Sequence, residues 1–453
     1  MGILKIESWF LLFMIMGFGM GAAAQPAKAK SEGEPVKKFN NPQIRVLLIN
    51  SVPEIQIIAH DSWNVKSLDG NSIAALDKNT SATISLKDGN LNFKGTAKTV
   101  SAKGLAMESS AQHGILEIKK VPYGVGWWWA GTEDRKYEGR IEIRPLEKGF
   151  LEVVVILAME DYLPGVVPSE IGPTSPHEAL CAQAVAARSE ALLALATGKY
   201  AGAHHDIGSD VESQAFSGRT KATPQSDEAI RATRGMAMIY NGQPIPAYYA
   251  SSCGGHTEDI RNVWPDRAKE KSYWGADSFD GEGMFTRNLA KEEDFRKWLD
   301  DDPDVYCNPK KFKVPDWASK NFRWQRDIAA EELTKWVSAK KDIGRVTGIR
   351  AIRRGPSGRM IEAEFVGEKG SFTVGPELAI RQVFDPPLKS AAFVVDIEGP
   401  KDRPEKFIIK GAGWGHGVGM CQTGAIAMAH AGKNFREILE HYYPSVIVQA
   451  IYP

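Results

Sequence analysis

Three stretches of this 453-residue chain place reactive side chains among neighbours that would change their chemistry. In Glu160-Asp161-Tyr162-Leu163-Pro164-Gly165-Val166-Val167-Pro168-Ser169-Glu170-Ile171, Glu170 ends an apparent loop bordered by Val166, Val167, Pro168 and Ile171. A carboxyl in apolar company loses hydration of its charged form, so its pKa rises toward what a general acid needs. An arbitrary Glu is more often a solvated loop residue or a helix-start charge. The second stretch, Tyr248 to Glu258, runs through Ser251, Ser252 and Cys253 into Gly254-Gly255-His256, a nucleophile-and-base set without a G-x-S-x-G frame. A tight turn with a satisfied His is the plainer account of it. In the third, Lys410 to Gln422, glycine fills every second position from 411 to 419, with Trp414, His416, Val418 and Met420 between. An extended chain of that pattern has one bare face, against which backbone or a flat ligand must lie.

Elements that could position these groups are legible around them. Ser175 as N-cap, Pro176 at the first helical position and Glu178 as capping-box acid predict a helix running to Gly198. Its Ala182-Gln183-Ala184-Val185-Ala186-Ala187-Arg188 core predicts burial, and a central Arg188 then needs an anionic or polar partner. Upstream, alternating or β-branched runs at Ile44 to Leu48, Ile55 to Ile58, Arg140 to Ile143 and Leu151 to Ile156 predict strands. Trp127-Trp128-Trp129 lies in this region, where strand aromatics favour core packing over sugar stacking. Downstream, helices are expected at Lys291 to Leu299, Ala329 to Ala339, Cys421 to Ala431 and Asn434 to Tyr442, with a strand at Arg359 to Val366.

Composition sets the bounds. Fifty-six basic and 56 acidic residues cancel, which disfavours nucleic acid as a partner, while 12 Trp and 43 Gly suit a neutral ligand stacked on aromatic faces, such as carbohydrate. Lys5, an apolar run from Trp9 to Met20 and Gly21-Ala22-Ala23-Ala24 predict a signal peptide over 1–24, hence export to periplasm or cell wall with no transmembrane anchor left after its removal. A flexible linker is expected at 25–43, a β-rich amino-terminal domain at 44–150 and a mixed α+β domain at 151–453 with an insertion at about 273–350, so the fold class is α+β. Cys181, Cys253, Cys307 and Cys421 match no zinc-finger spacing, and one structural disulfide among them is expected in an oxidising compartment.

Taken in order, five motifs resemble the stage II sporulation protein D family, also called the SpoIID/LytB domain. They are Glu160 to Glu170, 182–189, 229–236, 249–257 and Gly413 to Ala425. The resemblance implies action on bacterial peptidoglycan, because characterised catalytic members are lytic transglycosylases on glycan strands stripped of stem peptides. Glu170 matches their catalytic acid. Arg188 carries over as an active-site residue, and Gln183, Ser251, Ser252, His256, Trp414, His416 and Gln422 become substrate-binding candidates. Family members named LytB are instead described as modifiers of a cell-wall amidase, which leaves a non-catalytic glycan-binding role as the alternative. A hydrolase using Cys253 or Ser252 is a third class. Some members bind zinc through Cys-Asp-Thr-Thr-His-Cys-Gln, where this chain reads Gly208-Ser209-Asp210-Val211-Glu212-Ser213-Gln214, so no metal and no cofactor are expected. The family's glycine-rich motifs contain Cys253 and Cys421, which points the expected disulfide toward Cys253, Cys307 and Cys421.

Overall fold

The computed structural model describes residues 41–95, 99–266 and 278–453. The expected signal peptide, all but residues 41–43 of the linker, and positions 273–277 of the expected insertion lie outside them. Within Gln43–Val52, Ile44, Val46 and Leu48 are buried while Arg45 turns outward to Asp206, so the alternation in sequence becomes the two faces of a strand. This strand pairs antiparallel with Leu151–Ala158, Val46 opposite Val155, and parallel with Ile207–Gly208. Leu151–Ala158 lies between Gln43–Val52 and Arg140–Pro145 in a seven-stranded sheet and is buried on both faces. The boundary expected at 150 therefore passes between strands of one sheet. A six-stranded antiparallel sheet, from Gly131–Tyr137 across Leu116–Tyr123 and Glu54–Ala59 to Thr99–Ala102, adds Ile57, Ile84, Phe93 and Ile118 to the same hydrophobic core.

That core continues into the helices. His177–Thr197 packs against Met159–Ile171, Pro224–Ala232, Gln422–His430 and Phe435–Tyr442, and its alanines let all four approach closely. Gly198 ends it in the left-handed region. Its start differs from the expected capping box. The helix begins at His177 with Pro176 as N-cap, because the Ser175 hydroxyl donates to Ile171 O at 2.6 Å and the Glu178 carboxylate accepts from Phe435 N at 2.7 Å. Both side chains join neighbouring segments instead of closing their own helix. Asn434 does cap Phe435–Tyr442 with Glu437 in a reciprocal box.

Beyond Met236–Tyr240 the chain makes one long excursion. Tyr249–Ala250 pairs parallel with Met420–Cys421, so residues 251–419 leave and return at one place. The insertion expected at about 273–350 falls inside this excursion. The excursion includes Glu292–Asp300, Ala330–Ser338 and two three-stranded sheets, built from Arg323–Ala329, Lys406–Ala412 and Phe393–Glu398, and from Val346–Arg354, Met360–Gly367 and Gly370–Val374. Phe365, Phe384, Phe393 and Phe407 fill a separate core there. Strand-rich first and mixed afterwards, the protein is α+β.

Candidate active site

Glu170 lies in the last turn of Met159–Ile171, not in a loop. Pro164 and Pro168 obscure the helix in sequence, yet both fit inside it, and Gly165 makes room where a Cβ would stand 2.4 Å from the Phe216 ring. The packed Phe216 holds the helix against the chain at 214–217. There Ala215 N donates to Glu170 Oε1 at 2.6 Å, Gln214 Nε2 donates to the Tyr162 hydroxyl at 3.2 Å, and the Tyr249 hydroxyl donates to Gln214 Oε1 at 2.6 Å. Burial pushes the Glu170 carboxyl up to about 7, against the opposing bonds from Ala215 and Gln422 and with Asp210 adding repulsion. The negative end of its own helix dipole acts in the same direction.

Glu170 opens onto a cleft of about 790 Å³. Trp127 and Trp129 from the N-terminal half, Tyr248, Tyr249 and Ser251, and Trp414, His416 and Gln422 from the glycine-rich segment all line it. The tryptophan triplet is not core. It occupies the loop between Leu116–Tyr123 and Gly131–Tyr137, Trp128 is 45% exposed, and the rings meet Trp414 (Trp128 parallel at 6.3 Å, Trp129 edge-on at 6.1 Å). No strand has to bury three successive side chains here. A turn lets them gather on one side, where Arg381 lies 5.2 Å from the Trp127 ring centre.

Why Trp414 and His416 reach the cleft follows from the glycines between them. Gly417 and Gly419 have φ of +77° and +70°, and a Cβ would stand 2.4 Å from Arg359 Cζ or 2.0 Å from Tyr248 O. The bare face of the motif thus meets protein backbone at 248–253 and the Arg359 guanidinium, not a flat ligand. Ser252 and Trp414 exchange backbone hydrogen bonds at 3.1 and 2.9 Å. Val418 N donates to His416 Nδ1 at 3.0 Å, which leaves the ring proton on Nε2. Burial, with Arg359 and Arg381 nearby, pushes His416 down to about 3 against an opposing bond to the Tyr249 backbone, so it stays neutral.

The expected site residues separate into two groups. Glu170, Ser251, Trp414, His416 and Gln422 share the cleft; Arg188, Gln183, Ser252 and His256 do not line it. Arg188 is fully buried and clamps Glu160 with two bonds of 2.8 and 2.9 Å, while Tyr452 and Gly235 complete the carboxylate. Its anionic partner is thus Glu160, ten residues upstream of Glu170. Gln183 accepts from Gln422 Nε2 at 3.2 Å, and the same amide donates to Glu170 O, so Gln183 steadies Gln422 from behind. Ser252 is buried beneath Trp414, and His256 bonds Thr257 O and packs on Phe285. That geometry removes both from a nucleophile–base pair. Glu258 is also buried, accepting from Ser357 and Asn262. Sequence reasoning missed Trp127, Trp129, Tyr248, Gln214 and the cleft carboxylates Glu190 and Glu212. An exposed Trp run flanked by Gly124, Gly126 and Gly131 was the available signal for a loop.

The expected disulfide is absent: Cys181, Cys253, Cys307 and Cys421 are all buried thiols, with Cys253 and Cys307 sulfurs 3.7 Å apart. Among the described residues, His177–Thr197 alone is long and apolar enough to cross a bilayer, and it is the buried central helix.

Residues 147–240 match the family described as Stage II sporulation protein, and residues 258–419 match a domain of unknown function (DUF8618). The two matches flank the Tyr249–Thr257 turn. The chain is similar to an uncharacterised protein of Brachyspira hyodysenteriae, 28% identical over 69% of this chain and 72% of that one. It is 28% identical to the Amidase enhancer of Bacillus subtilis over 62% of this chain, spanning only 39% of that protein. Stage II sporulation protein D of Bacillus subtilis is 27% identical over 63% of this chain and 73% of its own length. Three of the five motifs line the cleft, and the match over residues 147–240 takes in the first of them with Glu170, so the chain carries a domain of the stage II sporulation protein family.

Proposed function

We propose that the protein is an exported peptidoglycan lytic transglycosylase, cleaving glycan strands stripped of stem peptides and leaving 1,6-anhydromuramic ends. The observation that carries this reading is a carboxyl held near pKa 7 at the base of a tryptophan-walled cleft. About half of Glu170 is protonated at neutral pH, so it can give its proton to the glycosidic oxygen as the bond to the anomeric carbon breaks. The resulting carboxylate then accepts the proton of the muramic acid C6 hydroxyl, which closes on the same carbon. The nucleophile belongs to the substrate and is already tethered, so one carboxyl suffices where hydrolases need two. Trp129 and Trp414 supply faces for the sugar rings.

The relative named Amidase enhancer supports a second reading, in which the cleft holds glycan without cutting it and the partner is a cell-wall amidase. Mass spectrometry of products from purified glycan strands separates the two. Anhydromuramic ends are expected from the parent protein, and Glu170→Gln should slow their release at least about a hundredfold. Intact strands that nonetheless bind would favour the amidase partner. Reducing ends would require a second carboxyl, for which Glu190 and Glu212 line the cleft; Glu160, Asp161 and Glu258 do not.

A further inference from the structure

Outside the cleft, the structure gathers Cys253, Asp280, Cys307 and Cys421 from four distant parts of the chain, each no more than 2% exposed. One donor atom from each lies within 4.8 Å of all the others. The Cys253 and Cys307 sulfurs are 3.7 Å apart. Two thiolates bound to one tetrahedral zinc at about 2.3 Å stand about 3.8 Å from each other, whereas disulfide sulfurs stand about 2.05 Å apart. The spacing is that of a tetrahedron's edge.

Backbone amides already point at these sulfurs. Cys253 N and Gly424 N donate to Cys421 Sγ at 3.2 and 3.3 Å, and Gly255 N donates to Cys253 Sγ at 3.3 Å. Such bonds favour thiolate and spread its charge, as the outer shell of a metal site does. Asp280 is oriented likewise: Cys307 N donates to Oδ2 at 3.0 Å and the Tyr442 hydroxyl to Oδ1. Among the described residues no Lys, Arg or His forms an ion pair with Asp280. Arg323, beside this cluster, donates to the carbonyls of Gly254, Trp298 and Phe322. A fully buried carboxylate with three soft donors and no cationic partner has its charge balanced best by a metal ion.

We propose that Cys253, Cys307, Cys421 and Asp280 form a closed, structural zinc site. None of the four lines the cleft, and four protein ligands leave no open position for chemistry. Cys421 lies on the strand to which the excursion returns, and Cys253, Asp280 and Cys307 lie within the excursion, so the ion fastens the excursion to that strand. Cys421 is also the N-cap of Gln422–His430, which sets the approach of Gln422 to Glu170. The expectation of no metal rested on the altered 208–214 stretch, a different part of the fold. Because binding displaces thiol protons, occupancy falls on acidification.

The test is elemental analysis and thiol titration of the full chain, purified without chelator or reductant from zinc-replete culture. About one zinc per chain is expected, with all four cysteines titrating after denaturation in chelator. Replacement by cobalt should give thiolate-to-metal charge-transfer absorption that Cys307→Ser loses and Cys181→Ser keeps. Metal-free protein overturns the proposal, whether two thiols are consumed as a Cys253–Cys307 disulfide or all four are free. Wild-type metal content decides the matter even where Cys307→Ser does not fold.

Discussion

Replacing Glu170 with Gln should make the protein more stable, and only at a pH where the native carboxyl is ionised. Moving the carboxyl from its ordinary 4.5 to about 7 means that the fold disfavours its charged form. At 1.36 kcal/mol for each tenfold change in proton affinity, the ionised folded protein carries a penalty of about 3 kcal/mol. The sign is fixed by proton counts. Between 4.5 and 7 the native state holds the proton that the unfolded chain has released, so stability falls as pH rises through that window and is level above it. Glutamine keeps the bond from Ala215 N, because its amide oxygen can occupy the place of Oε1, and it has no proton to lose. Urea unfolding of both proteins, at pH 4 and pH 8, isolates the effect, since every other titrating group is common to the pair. The variant should match the parent at pH 4 and exceed it by about 3 kcal/mol at pH 8. A difference that does not grow with pH would refute the claim that burial tunes Glu170, whatever happens to activity.

Three further outcomes follow from particular contacts. Arg188→Ala should destabilise the fold by about 3–5 kcal/mol, because it strands the buried Glu160 carboxylate, and should leave KM for glycan strands unchanged in whatever protein remains folded. Trp414→Ala should weaken binding of glycan strands about tenfold by titration calorimetry, since one stacked ring is worth about 1 kcal/mol beyond its area, and should also lower unfolding free energy by the packing lost against Trp128 and Trp129. Gly417→Ala should lower stability by about 1–3 kcal/mol, read from chemical denaturation, since its Cβ would meet Arg359 and its φ is +77°.

Local signals were readable where local physics decided them. The helix from Asn434 to Tyr442, the alternation at Ile44 to Leu48 and the alternate glycines that demand close backbone all operate within a few residues. Pairings across the chain were not readable. Burial in an alanine-rich helix said that Arg188 needs an anion, but Glu160 and Glu170 belong to the same motif and only the helix phase of Met159–Ile171 separates them. Two prolines hid that helix, since proline ordinarily argues against one. Trp127 to Trp129 acquire meaning only when Trp414 arrives from the other end of the chain. Cysteine spacing was silent about the buried thiol cluster because its members come from four separate loops and termini of elements.

The parallel pairing of Tyr249–Ala250 with Met420–Cys421 makes the segment between them a module on a fixed socket. Chain-closure entropy grows only with the logarithm of loop length, so doubling such a segment costs about 0.6 kcal/mol and halving it returns as little. Lineages could therefore lengthen, trim or exchange it without moving the helix that carries Glu170, whose own supports at 160–162, 214–217 and 235–236 lie outside it. It has a separate core of Phe365, Phe384, Phe393 and Phe407, while Phe295, Trp298 and Val305 pack into a core shared with Ala182 and Val185. Yet Trp414 and His416 ride on its returning end. A graft at this socket would keep Glu170 in place and change the part of the cleft wall that Trp414 and His416 form.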